Sequence, residues 1–161
     1  MRLKLAVTTG TFGYNALVDA IVYSAKELSV KYSTIHIQYG RSLPVSLGSL
    51  SGLDGVYTIH GLAIKAIPYY QSLADFTKDS STVVTHGGTG TVIELLKLTL
   101  PFIVVPNTSL SGNHQEEFTR LLKNDLAVSS PQAIVKDLLS RPAPPKTLNV
   151  SGELWTHILR H

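Results

Sequence analysis

The stretch that decides the fold is Thr85-His86-Gly87-Gly88-Thr89-Gly90-Thr91. It follows the apolar, β-branched residues 82–84, which are typical of a strand, and precedes a segment of helical spacing from Val92 to Leu96. Glycines at a strand-to-helix turn let the backbone approach a ligand, and the first helical amides point outward at the positive end of the dipole. This arrangement suits a phosphate or diphosphate, although glycine-rich turns also occur for purely structural reasons. The stretch matches neither GxGxxG nor GxxxxGK[ST].

The composition is typical of a globular protein, and 161 residues are enough for one domain with a hydrophobic core. Hydrophobic residues make up 43% of the chain and charged residues 16%. The net charge is +3 and the basic residues are scattered, so we expect no nucleic-acid surface. The absence of cysteine excludes a disulfide framework, a thiolate nucleophile and a cysteine zinc cluster. No apolar run is long enough to span a membrane, so any membrane role would come through a partner.

Segments with strand-like and helix-like patterns alternate along the chain. We predict strands at residues 3–8, 35–39, 56–59, 82–85, 102–105 and 126–128. We predict helices within residues 17–28, 71–79, 90–98, 114–123 and 131–140, an extended passage at 66–70, and a loop at 42–54. Such alternation predicts an α/β fold with a single doubly wound, mainly parallel sheet of the Rossmann-like type and helices on both faces.

The chain is expected to consist of a domain followed by a C-terminal extension. Residues 1–140 form the domain, and residues 141–150, with three prolines, form a spacer. Residues 151–161 are predicted to be a helix whose apolar stripe consists of Leu154, Trp155, Ile158 and Leu159. The stripe either packs against its own domain or docks a partner, because a tryptophan-bearing apolar helix is suited to anchor an interface.

Three loops with small polar residues follow predicted strands, at residues 8–13, 85–91 and 106–115. Because ligands bind outside the carboxyl ends of the strands in an open parallel sheet, we expect these loops to meet in one crevice. Their hydroxyls and amides come from Thr8, Thr9, Thr11, Thr89 and Thr91. None of these groups carries a formal charge, so the crevice suits a diphosphate held by dipoles without a required metal.

Other polar residues near these loops each leave two roles open. Glu94, expected in the first turn of the helix after the glycines, either complements the helix N-terminus or accepts hydrogen bonds from a ribose. His86 and His114 lie in loops, where each is either a hydrogen-bonded structural residue or part of a site. Tyr70 either stacks on a nucleobase or packs at the rim of the core. Neither HExxH nor Asp-x-Asp is present, so no metal site is predicted.

Three motifs together resemble a known family. They are HGGTGT-x-x-E at residues 86–94, LPFIVVPN at 100–107 and SLSGNHQEE at 109–117. From its first strand through residue 140, the chain is similar to the C-terminal, donor-binding half of the two-domain inverting glycosyltransferases with the GT-B fold. This family includes the bacterial enzyme that adds N-acetylglucosamine (GlcNAc) to the lipid-linked peptidoglycan precursor. In the eukaryotic enzyme that adds the second GlcNAc to dolichol-diphosphate-GlcNAc, a separate small subunit supplies this half.

The resemblance implies a role for each candidate residue. The donor diphosphate would face Thr9, Gly10 and Thr11. The cradle under the phosphates would consist of Gly87, Gly88, Thr89 and Gly90, beside His86. Glu94 would hold the ribose, and Tyr70 would contact uracil mainly through its backbone. The GlcNAc hydroxyls would face Asn113, His114 and Gln115. Gly112 stands where relatives often carry Asp or Asn, so one sugar contact would differ here.

The resemblance also implies a function, which is transfer of GlcNAc from UDP-GlcNAc with inversion and without a bound cofactor. The acceptor site and the general base would lie on a membrane-anchored partner, and His86 is the less favoured candidate for the base. That partner would recruit this chain from the cytoplasm to the cytosolic face of the endoplasmic reticulum, forming a heterodimer for N-glycosylation. Two alternatives remain. One is a non-catalytic nucleotide-sugar-binding or regulatory module, and the other is a UDP-GlcNAc 2-epimerase-like domain, which would require a second domain.

Overall fold

The computed structural model describes residues 2–107 and 126–140 of the chain. Outside these ranges lie the predicted helices at 114–123 and 151–161, the spacer, and the candidate residues Asn113, His114 and Gln115. The strands are β1 Leu3–Thr8, β2 Tyr32–Gln38, β3 Gly52–Leu53, β4 Val56–Ile59, β5 Leu62–Ile67, β6 Thr82–Thr85, β7 Phe102–Val104 and β8 Ala127–Val128. The helices are α1 Asn15–Tyr23, α2 Ala25–Leu28, α3 Val45–Gly48, α4 Leu73–Phe76, α5 Thr89–Leu98 and α6 Ile134–Ser140.

The strands of the described residues form one sheet in the order β3-β4-β5-β2-β1-β6-β7-β8. From β5 to β8 in this order all neighbours pair in parallel, whereas β3 and β4 add an antiparallel edge. The predicted α/β fold with a mainly parallel sheet is therefore confirmed. Strands β1 and β6 have the predicted bounds, and α5 begins one residue earlier than predicted.

The antiparallel edge is where the structure differs most from the prediction. The expected loop at 42–54 contains α3 and β3, and β5 was not predicted as a strand, although its last two residues fall in the predicted extended passage at 66–70. Consecutive residues with positive φ join the strands, namely Asp54 and Gly55 (54° and 73°) between β3 and β4, and His60 and Gly61 (52° and 76°) between β4 and β5. Positive φ at both central residues is the geometry of a type I′ hairpin turn, for which Asp-Gly is a favoured sequence.

Two predicted helices are shorter than expected because turns replace some of their residues. Within 71–79, the Ser72 hydroxyl accepts a hydrogen bond from Asp75 N (3.3 Å) at the start of α4, and Asp79 has a positive φ of 65°. Within 131–140, residues 131–133 form a turn before α6, and the Ser130 hydroxyl accepts from Ala133 N (3.2 Å).

Helices cover both faces of the sheet, as predicted. One core, which includes Leu5 and Ile103, lies beneath α1, α2 and α6. The other, which includes Ala6 and Phe102, lies beneath α4 and α5. Neighbouring residues such as Leu5 and Ala6 enter different cores because successive side chains of a strand point to opposite faces. These two cores fix the strands whose ends form the site.

The candidate site lies where the parallel strands end. Strands β1, β2, β5, β6 and β7 run in the same direction, so the segments that follow them leave from one edge of the sheet. The chain continues from β1 to β2 on one side, and β6 lies on the other side of β1. This reversal of strand order is the point at which open α/β sheets form a binding crevice.

Candidate functional site

The turn between β6 and α5 leaves backbone donors open at this edge. Gly87 has a φ of +88°, and a Cβ there would lie 3.2 Å from Val104 Cγ1, so the chain passes close to β7. Gly88 is the N-cap, no side-chain hydrogen bond caps the helix, and the first helical bond runs from Val92 N to Gly88 O (3.0 Å). No other described residue lies within 4 Å of the position that a Cβ on Gly90 would take. The first N–H groups of α5 therefore border open space at the positive end of the dipole.

His86 lies between the glycine turns that follow β1 and β6. A Cβ on Gly10 would lie 2.5 Å from His86 Nε2, and a Cβ on Gly88 would clash with the same atom. The amide of His86 donates to Thr8 O (3.1 Å), and Thr85 Oγ1 lies 3.5 Å from His86 Nδ1. Burial lowers the pKa of His86. The ring is therefore neutral near neutral pH, with one nitrogen that donates and one that accepts.

The loop after β1 turns its first polar groups inward. Thr8 and Thr9 are buried, with 0% and 2% of their surface exposed. Their hydroxyls donate to Gln38, Thr8 Oγ1 to the side-chain Oε1 and Thr9 Oγ1 to the main-chain O, both at 2.9 Å. The expectation that these two hydroxyls are offered to a ligand is therefore wrong. Thr9 stays a predicted site residue through its place in the loop, whereas Thr11 is exposed and available.

Three loops at this edge are packed against one another through their backbones. Gly13 and Gly40 both have a φ of +84°, and a Cβ on Gly40 would lie 2.6 Å from Gly13 N. The Tyr14 hydroxyl donates to Pro106 O (2.9 Å), and Asn107 Nδ2 donates to Gly13 O (3.4 Å). None of these five residues was predicted to position the loops. Glycine directly after a strand end was the available signal for Gly40, since close backbone packing requires glycine.

A groove of about 410 Å³ lies between α5 and the segment that follows β5. It is lined by Tyr70, Gln71, Ser72, Leu73, Ala74, Glu94, Lys97 and Leu98. The groove brings together Tyr70 and Glu94, two predicted site residues that are distant in sequence. The ring of Tyr70 stacks on Phe76, with 5.1 Å between the ring centroids and 22° between the planes. One face of that ring therefore packs at the rim of the core, which was one of the two roles left open.

Glu94 lies in the second turn of α5, and its predicted place in the first turn is wrong. The helix already begins at Thr89 and carries no acidic residue in its first turn. Because the effect of the helix dipole falls off within that turn, complementing the N-terminus no longer explains this glutamate. Glu94 is exposed and lies four residues after Gly90, so both are on one side of the helix. Its carboxylate thus borders the groove one turn away from the open amides.

The rim of the site carries one stacked cation. The guanidinium of Arg41, in the loop after β2, lies 4.7 Å from the centroid of the Phe12 ring, and 62% of the surface of Phe12 is exposed. Across residues 2–107 and 126–140, no group of three or more His, Cys, Asp or Glu side chains is placed to hold a metal ion. The candidate site therefore combines main-chain donors, a neutral histidine, Glu94 and Lys97 of the groove, and a peripheral arginine.

Comparison with known proteins gives consistent matches. A model of the glycosyltransferase family 28 C-terminal domain matches residues 4–133. The UDP-N-acetylglucosamine transferase subunit ALG13 of Yarrowia lipolytica is 31% identical over 136 residues, which cover 79% of this chain and 64% of that protein. The chain thus spans less than two thirds of the length of that relative.

Solved structures share the fold. The NMR structure of ALG13 has a TM-score of 0.62 at 20% identity, over 90% of this chain and 89% of that one. The crystal structure of Acinetobacter baumannii MurG has a TM-score of 0.62 at 15% identity, over 98% of this chain and 43% of that one. The fold is the Rossmann-like sheet of the C-terminal domain of GT-B glycosyltransferases, as the sequence predicts.

Proposed function

We propose a function that starts from the family of this chain. The chain belongs to the glycosyltransferase family 28 C-terminal domain family, and this match confirms the family resemblance that its motifs indicated. The chain is the UDP-GlcNAc-binding, catalytic subunit of a heteromeric inverting N-acetylglucosaminyltransferase. It adds the second GlcNAc to dolichol-diphosphate-GlcNAc in the synthesis of the N-glycan precursor. The observation that carries this proposal is the open N-terminus of α5, which lies between the loop after β1 and the groove bordered by Glu94.

The diphosphate of the donor binds at residues 88–91. The amides there are not capped by a side chain, and the space in front of Gly90 is free of other described residues. An anion at a helix N-terminus gains roughly 0.3–2 kcal/mol from the dipole, in addition to its hydrogen bonds. The neutral ring of His86, held between Gly10 and Gly88, supplies a further donor beside the phosphates. Gly10 and Thr11 form the opposite wall.

The nucleoside lies in the groove between α5 and residues 70–74. Glu94 is the exposed carboxylate of this groove, and a carboxylate can accept hydrogen bonds from both ribose hydroxyls. Tyr70 has its ring packed on Phe76, which supports a contact to uracil through the backbone of residue 70. The family resemblance assigns the GlcNAc hydroxyls to Asn113, His114 and Gln115.

The reaction is a direct displacement with inversion. The O4 hydroxyl of the acceptor GlcNAc attacks the anomeric carbon, and UDP leaves with negative charge on its diphosphate. Amides that are already oriented at the N-terminus of α5 stabilise that charge as it develops. His86 is half-buried and lies against the glycine turns, which supports a role as a hydrogen-bond donor to the phosphates and leaves the general base to the partner.

The acceptor site belongs to a membrane-anchored partner on the cytosolic face of the endoplasmic reticulum. The Yarrowia relative is named as a transferase subunit, which supports a heteromeric enzyme. In the part of the chain that the structure describes, no helix has the length and apolar character needed to cross a membrane. We therefore expect little transferase activity from the chain alone and full activity with the partner.

The donor assignment is tested by titrating the chain with UDP-GlcNAc, UDP-glucose and GDP-mannose while recording backbone amide spectra. We expect the largest shifts with UDP-GlcNAc, at residues 9–12, 86–91 and 70–74. Glu94→Gln should weaken UDP-GlcNAc binding about tenfold, because a neutral amide accepts ribose hydrogen bonds less strongly than a carboxylate. The matched control is Glu27→Gln, at an exposed helical glutamate of α2, which should bind as the wild type does.

The catalytic part of the proposal is tested in the assembled complex. We expect transfer to dolichol-diphosphate-GlcNAc to fall with Glu94→Gln and to be unaffected by Glu27→Gln. Equal binding of all three nucleotide sugars would contradict the donor assignment. Binding of UDP-GlcNAc together with unchanged transfer in the Glu94 variant would instead favour the non-catalytic module.

A further inference from the structure

Gln38, the last residue of β2, makes five side-chain hydrogen bonds although only 2% of its surface is exposed. Its Oε1 accepts from Thr8 Oγ1 (2.9 Å), Thr9 N (2.9 Å) and Gly10 N (3.1 Å). Its Nε2 donates to Gly10 O (2.9 Å) and Pro68 O (2.8 Å). Three donors on one side and two carbonyls on the other fix the orientation of the amide.

These bonds join two segments that are distant in sequence. Thr9 and Gly10 belong to the loop after β1, which forms one wall of the phosphate site. Pro68 belongs to the segment after β5, which leads directly to Tyr70 and the nucleoside groove. The main chain adds bonds from Tyr39 N to Ile67 O (2.9 Å) and from Gly40 N to Pro68 O (2.9 Å). Among these groups, only the Gln38 side chain forms hydrogen bonds with both segments.

We propose that Gln38 is a positioning residue that couples the phosphate site to the nucleoside groove. It holds these two halves of the UDP site at a fixed separation. This inference rests on the proposed function, because it assigns the two segments to the two halves of the donor. Gln38 itself touches no part of the ligand. It acts by holding Gly10 and Pro68 in one arrangement before the donor binds.

The chemistry of the side chain explains why glutamine is suited to this position. The site needs an acceptor for two inward-facing amides and a donor for two inward-facing carbonyls, within one buried side chain. A methionine has nearly the same length but neither function, so it would leave four main-chain groups without these partners, the buried Thr9 N and the partly buried Gly10 N, Gly10 O and Pro68 O. The loops would then be free to move apart. Binding of a ligand that spans both loops loses affinity when its site is no longer preorganised.

The experiment compares wild type and Gln38→Met for binding of UDP, uridine and inorganic pyrophosphate, below the unfolding temperature of the variant. We expect affinity for UDP to fall about thirtyfold and affinity for each half-ligand only about twofold, because each half can follow its own loop. The matched control is Leu28→Ala, which removes a buried side chain of α2 before the start of β2 and far along the sheet from the loops. It should lower stability and leave all three affinities unchanged.

A measurement on the wild type serves where the methionine variant does not fold. Uridine alone should shift the Gly10 amide and the side-chain amide signals of Gln38, and pyrophosphate alone should shift the Tyr70 amide. The exposed Gln132 side chain should not respond. Shifts confined to the half of the site that each ligand touches, or equal loss for UDP and its halves in Gln38→Met, would overturn the coupling while leaving the donor assignment intact. A wild-type chain that binds no UDP would overturn both.

Discussion

The two glycine turns that follow β1 and β6 use their polar groups in opposite ways. After β1, the amides of Thr9 and Gly10 and the hydroxyls of Thr8 and Thr9 are all bonded to Gln38. After β6, the helix starts at Gly88 with no side-chain cap and with open space beside Gly90. The bonds to Gln38 hold the first turn in shape, whereas no side chain caps the donors of the second. A glycine-rich loop is therefore not by itself a set of free donors.

The largest effect on stability is expected from Gly10→Ala, in the turn after β1. The backbone there has a φ of +76°, and the added Cβ would lie 2.5 Å from His86 Nε2. We expect a loss of about 3 kcal/mol in unfolding free energy, measured by urea denaturation. Adding His86→Ala should restore the steric part of that loss but not the conformational part. A Gly10→Ala protein as stable as wild type would show that the turn tolerates another arrangement.

The next effect concerns the contact that holds this turn to the loop after β7. Tyr14→Phe removes the hydrogen bond to Pro106 O (2.9 Å) from a side chain that is 7% exposed. The carbonyl loses its buried donor, so we expect a loss of about 1–2 kcal/mol in thermal or urea unfolding. Tyr23→Phe, at a tyrosine with 66% of its surface exposed, is the matched control and should change stability little. Equal effects of the two substitutions would contradict the role of Tyr14.

A smaller change in stability, of opposite sign, is expected in the turn between β6 and α5. Gly90→Ala places a Cβ in space that no other described residue occupies, inside the first turn of α5. Because alanine is the better helix former, the unfolding free energy should rise by about 0.5–1 kcal/mol. The same methyl group would intrude on the donor diphosphate, so calorimetry should show weaker UDP-GlcNAc binding. Tighter binding would place the phosphates elsewhere.

The smallest effect is expected from pH, through the histidine between the two turns. Burial holds the pKa of His86 below its ordinary value, so the unfolded chain binds more protons than the folded one as the pH falls below about 6.5. Stability should therefore be complete above that pH and decrease on acidification. His86→Gln should reduce this dependence, measured by urea denaturation at several pH values, and an unchanged dependence would contradict the role of His86.

The local sequence pattern was enough to predict those elements of the fold whose strand, turn and helix signals are adjacent in the chain. Strand β6, the glycine turn and α5 follow each other within residues 82–98, so their signals are adjacent and reinforce one another. Strand β5 was missed although Leu62, Ile64 and Ala66 are buried in alternation, because the prediction did not use the turn signals at residues 54–55 and 60–61.

The site was predictable only where its chemistry lies within one segment. The glycines and Glu94 could be found by spacing, although Glu94 was placed one turn too early. Gln38 gave no signal, because a polar residue at a strand end is ordinary and its partners are about thirty residues away in the chain, at Thr8, Gly10 and Pro68. Its importance depends on which strands become neighbours, and that is a property of the sheet.

If the open start of α5 binds the donor as proposed, it also determines which substitutions this protein tolerates. Its donors are peptide groups, which every residue except proline possesses, so exchanging side chains at Thr89 or Thr91 removes none of them. Damage requires either a change in the path of the main chain, such as a proline or a larger residue at Gly88, or a side chain that enters the space of the ligand, as at Gly90. Tolerance to ordinary substitutions, with abrupt failure at a few backbone positions, is the pattern that a complete mutational scan of residues 85–91 should display.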